Sequence, residues 1–95
     1  MSNNPTASDK RRFAALVEIG CLACKLEGRY SIPQIHHVRI GSEYKDHQKT
    51  YGICMRHHVA TAALPGIPNR HGSPKEFADT FGDDDELLVY VNKLL

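Results

Sequence analysis

The sequence has no tryptophan, and phenylalanine and tyrosine together supply only 7% of its 95 residues. So few large side chains make a thin core. A domain of this size is marginal on hydrophobic burial alone, and a structural metal is one of the usual supplements. Long apolar runs are missing too. Nothing approaches the roughly 20 residues that span a bilayer, and the polar start "MSNNPTASDKRR" lacks the apolar centre of a signal peptide. Both absences point to a cytoplasmic protein with no membrane partner. The three cysteines are an odd number, which excludes a fully paired disulfide framework and suits metal ligation or thiol chemistry in a reducing compartment. Net charge is only +1, but it is unevenly spread. Residues 1–75 carry 11 Lys/Arg against 5 Asp/Glu, and residues 76–95 carry 1 against 6. A basic body with an acidic end permits phosphate binding without demanding it.

What is present reads as one small α+β domain over residues 8–95, behind a disordered tail of residues 1–7. Ser8 or Asp9 can cap a helix that runs to about Ile19 and stops at Gly20, with Phe13, Leu16 and Val17 on one face. "GCLACKLEG" (20–28) is a glycine-bounded turn, and "RYSIPQIHHVRI" (29–40) is extended, with Pro33 holding its first half to an edge. "GSEYKDHQ" (41–48) is a polar loop, followed by a second strand, "KTYGIC" (49–54). A helix from Met55 must end by Leu64, before "PGIP". "SPKE" (73–76) has the capping-box pattern for a helix reaching Phe81. "DDDELLVYVNKLL" then opens a last helix with acids at its N-terminus, and Leu87, Leu88, Val91, Leu94 and Leu95 form its apolar stripe.

Two short spacings stand out: Cys21-x2-Cys24 and Cys54-x2-His57. Tetrahedral zinc takes four Cys/His ligands, and a two-residue spacing lets one turn supply two of them. A lone C-x-x-C could be redox-active, but the second pair favours a structural zinc on Cys21, Cys24, Cys54 and His57. His58, four residues after Cys54, is the alternative fourth ligand. On a helix, His57 and His58 leave the axis roughly 100° apart, so they cannot easily serve the same ion. Five of the six histidines fall between positions 36 and 58, a crowding that asks for a second explanation.

"IHHV" and "CMRHH" resemble the two ends of the HNH nuclease motif. More of the chain is similar to the phage Ref family of RecA-dependent recombination-enhancement nucleases, through "GCLAC", "IHHVRIG", "ICMRHH", "HG" at 71–72 and "FADTFG…ELL". The resemblance implies a zinc-stapled ββα-metal (HNH or His-Me finger) domain with flanking helices. It also implies cleavage of DNA, a RecA filament as partner, and a phage or prophage origin within a bacterial cell. Carried over by residue, His37 is the general base, and His36 and His58 hold a catalytic divalent ion. Magnesium or manganese suits the phosphate oxygens of a working complex, and imidazole ligation leaves zinc open as well. His71 stands as a third metal ligand or a phosphate contact. His47 falls where the family has its middle Asn, although Asp46 is nearly as well placed; no Asn occurs between His37 and Cys54. Arg39, Lys45, Lys49, Arg56 and Arg70 flank the site and suit contacts to the DNA backbone. One geometric demand follows. Neighbours on a regular strand face opposite sides, so a bulge is expected at His36-His37 if both serve one site. The competing readings are a catalytically inert zinc module that binds DNA or protein, and a thiol redox protein.

Overall fold

The computed structural model describes residues 4–38 and 46–95. Helix α1 (Ala7–Ile19) opens with a capping box. The Thr6 side chain accepts from the Asp9 backbone N–H at 3.1 Å, and the Asp9 carboxylate accepts from the Thr6 N–H at 2.9 Å. Thr6 is thus the cap in place of Ser8 or Asp9, because Asp9 is more useful three residues in, where its carboxylate can reach back. Leu16 is fully buried and Phe13 packs at the core's margin, but Val17 is 44% exposed and drops out of the expected face.

The glycine-bounded stretch is more ordered than a turn. It forms a short helix, α2 (Leu22–Leu26), with Cys21 at its N-cap. Strands β1 (Gln34–His37) and β2 (Thr50–Ile53) pair antiparallel, with Gln34 opposite Ile53 and His37 opposite Thr50. The register advances one for one, so the ladder has no bulge at His36-His37. All four residues of β2 are buried, which makes it the spine of the molecule. Gly52 is needed there, since a Cβ would stand 2.8 Å from Pro33 Cβ and 3.0 Å from the Gly20 carbonyl oxygen.

Helix α3 (Met55–His58) is a single turn, followed by a 3-10 turn at Ala60–Ala62. The helix expected to reach Leu64 ends early because Val59 turns extended. Helix α4 (Pro74–Phe81) begins with proline, but Ser73 makes no capping bond to it. Its hydroxyl oxygen accepts the Asn69 N–H at 2.9 Å instead. Helix α5 (Asp84–Leu94) does have a capping box, between Asp83 and Glu86. Leu87 and Val91 are its buried stripe, while Leu94 and Leu95 are exposed. Arg12 ties the layers together, donating from Nε to Thr50 Oγ1 (2.9 Å), from one terminal nitrogen to the Thr50 carbonyl (2.6 Å) and from the other to Asn92 Oδ1 (3.0 Å). No described helix is long and apolar enough to cross a membrane.

Candidate metal centres and active-site cleft

Among the described residues, the fold gathers two separate sets of metal-ligand side chains. Cys21 and Cys24 come from the start of α2, and Cys54 and His57 from the junction of β2 with α3. All four are buried, and their ligand atoms lie within 4.8 Å of one another. The Cys24 and Cys54 sulfurs are 3.8 Å apart. His57 Nδ1 donates to the Pro68 carbonyl at 2.9 Å. That bond fixes the tautomer and leaves Nε2 as the ligand nitrogen. Burial pushes the Cys21 thiol up to about 12. Burial would raise Cys24 as well, but hydrogen bonds from Ser31 and Arg29 hold it below its ordinary value. Three sulfurs and one imidazole fit the tetrahedral donor set of zinc. Sulfurs this enclosed suit a redox role poorly, since that chemistry needs an accessible thiolate.

The second set is His36, His58 and His71, whose ring nitrogens also lie within 4.8 Å of one another. His36 Nδ1 and His58 Nε2 face each other at 3.1 Å. The outer nitrogen of His58 lies 2.8 Å from Gln34 Oε1, and that of His36 lies 3.6 Å from Asp84 Oδ1. A metal ion held here would take the two inner lone pairs, with both N–H groups turned outward toward Gln34 and Asp84. Burial first, then the nearby His36 and His71, pushes His58 down to about 4. His71 is lowered by burial and by His36. Neutral imidazole is the metal-binding form. The donor set fits a divalent ion.

These side chains line one cleft of about 360 Å³, together with Ile35, His37, Arg70 and Asp84. Both His36 and His37 line this cleft although β1 is regular, so the bulge expected between them is absent. His37 Nε2 meets His47 Nδ1 at 2.9 Å, and Phe13 packs edge-on to both rings. Asp46, the other middle-position candidate, caps its own turn by accepting the Gln48 N–H at 2.9 Å. Among the candidate DNA contacts, Lys49 and Arg56 are exposed. Arg70 is held by Asp84 through two hydrogen bonds of 3.0 and 2.8 Å. Arg39 and Lys45 lie outside the described residues.

Two residues escaped sequence reasoning. Asn69 is 1% exposed and spends its whole amide on the loop around it. Nδ2 donates to the Arg56 and Val59 carbonyls at 2.9 and 2.8 Å, and Oδ1 accepts the His71 and Gly72 N–H groups. It ties the end of α3 to His71. An Asn after proline in a loop was the available signal, but loops are full of such residues. Asp84 read simply as a helix-start acid. It accepts from the Tyr51 hydroxyl at 2.8 Å and from Arg70. Burial would raise its carboxyl, but His36, Arg70 and Tyr51 hold it well below the usual carboxylate range.

None of the curated proteins compared with the chain matches it. A family model described as "Recombination enhancement, RecA-dependent nuclease" matches residues 5–95. That range takes in the cysteine set, the histidine cleft and every described helix, and the chain belongs to the family of RecA-dependent nucleases of recombination enhancement.

Proposed function

We propose that the chain is a metal-dependent DNA endonuclease of the HNH type, with residues 8–95 forming one ββα-metal nuclease domain behind a short tail. The observation that carries this reading is the meeting of His36, His58 and His71 in one cleft with His37, apart from the Cys21, Cys24, Cys54 and His57 cluster. An inert zinc module accounts for the cysteine cluster and leaves the histidine cleft unexplained. The antiparallel β1-β2 pair leading into α3 supports the ββα assignment.

His37 is the general base. It takes a proton from water in this reading, a role that imidazole suits near neutral pH. His47 holds the ring of His37 in place and stabilises it as it gains charge. His36, His58 and His71 hold a divalent ion, which supplies positive charge where negative charge grows on the phosphate and the leaving oxygen. Magnesium or manganese is the working metal, with zinc a third option, and a structural zinc fills the cysteine site. Arg70 lines the cleft beside the phosphate. Lys49 and Arg56, with Arg39 and Lys45, grip the DNA backbone without reading sequence. The family's description supports a DNA substrate and the involvement of RecA; this reading places the reaction on a RecA filament in the cytoplasm of a bacterial cell carrying a phage or prophage.

The test is a cleavage assay on single-stranded and duplex DNA, with and without a RecA filament, across magnesium, manganese and zinc. Metal-dependent cutting that His37→Ala slows by about 10²–10⁴-fold, the usual worth of a general base, is the expected result. Cutting by His37→Ala at the wild-type rate would overturn the mechanism.

A further inference from the structure

The buried nitrogen His36 Nε2 has no hydrogen-bond partner, although the residue is only 6% exposed. A buried polar atom left this way costs free energy. Asp84 Oδ1 lies 3.6 Å away, just beyond hydrogen-bond length. Asp84 is itself tightly placed. Tyr51, which stands opposite His36 across the ladder, donates to the same oxygen at 2.8 Å, and Arg70 grips both carboxylate oxygens. The partner histidine shows what the completed arrangement looks like, for His58 already has its outer nitrogen on Gln34 at 2.8 Å.

Resting on the reading that His36, His58 and His71 hold a divalent ion, we infer that Asp84 is a positioning residue for that ion. It accepts the outer N–H of His36 and fixes the ring so that Nδ1 faces the cleft. Metal-ligating histidines commonly use their second N–H on a carboxylate in this way, which orients the ring and strengthens it as a donor. Asp84 opens α5, so the C-terminal helix becomes part of the active site through one carboxylate. The same carboxylate holds Arg70 at the rim of the cleft. One residue thus sets both the metal ligand and a phosphate-facing cation.

The experiment titrates zinc-replete protein with Mn²⁺ by calorimetry, for wild type, Asp84→Asn, Asp84→Glu and the neighbouring surface variant Asp85→Asn. Zinc per chain and melting temperature are read alongside. Asp84→Asn should bind Mn²⁺ about 10–100-fold more weakly, keep one zinc, and regain part of the affinity as Asp84→Glu. Asp85→Asn should match wild type. If Asp84→Asn melts lower but binds Mn²⁺ as wild type does, Asp84 only anchors the helix and the inference is overturned. A wild-type chain that binds no Mn²⁺ overturns the metal-site reading and this inference with it. Should Asp84→Asn fail to fold, nitrogen-15 spectra of wild type loaded with a second zinc equivalent decide. They should show a His36 Nε2–H protected from exchange; its absence overturns the proposal.

Discussion

At the scale of single residues, two neighbours in sequence face different ligand sets. His57 is buried with a ring nitrogen within 4.8 Å of the cysteine sulfurs, and His58 meets His36. Their alanine variants should therefore fail differently. His57→Ala should lose zinc and soluble fold, because three ligands cannot close the tetrahedron. His58→Ala should stay folded and keep its zinc. Zinc per chain and thermal melts distinguish the two; if the outcomes swap, so do the roles. Acid provides a second test of His58. Its folded form titrates near 4 where the unfolded imidazole titrates near 6.5. Between those values the unfolded chain binds the extra proton, so stability is present above about 6.5 and is lost as pH falls toward 4. Urea melts at pH 7 and pH 5 should show a smaller loss for His58→Gln than for wild type; equal losses would contradict the burial argument. Asn69 is the structural counterpart. Truncating it to alanine leaves four part-buried backbone groups without its amide, so a loss on the order of 3 kcal/mol in chemical denaturation is expected.

At the scale of elements, the strands and the two long helices were legible because their signals are local. Leu16, Leu87 and Val91 repeat at helical spacing and are buried where the period puts them. The failures came where tertiary demands beat local preference. Ser73 has the sequence of a capping box but spends its hydroxyl on the Asn69 backbone. Val59 cuts α3 to one turn, which helps place Asn69 against the carbonyls of Arg56 and Val59. The clustering of Cys21, Cys24, Cys54 and His57 was readable from spacing alone. Asp84 was not, since its role depends on α5 docking beside β2, which no short-range pattern encodes. The same docking logic makes Gly52 a test of the element packing. Gly52→Ala would force its Cβ against Pro33 and the Gly20 carbonyl, and overpacking of that kind costs about 1–3 kcal/mol. A melt unchanged by this substitution would mean that β2 and the segment carrying Pro33 have room the geometry does not show.

At the scale of the whole molecule, the proposed function has the two ligand sets divide the work between holding the fold and serving the cleft. The apolar core is small, with Tyr51, Phe77 and Leu16 its largest fully buried side chains. Structural zinc contributes about 10–16 kcal/mol in peptide systems, comparable to the entire stability of a small domain. Strong chelation should therefore unfold the chain, and a melting temperature kept after complete zinc removal would contradict a structural role for the Cys21, Cys24, Cys54 and His57 cluster. The central claim is that the histidine cleft is chemically active and separable from that cluster. The most direct measurement is the rate of DNA cleavage by His58→Ala, made on protein verified to be folded with one zinc per chain. The account predicts that this variant retains its melting behaviour and loses cleavage. Cleavage at the wild-type rate would contradict it.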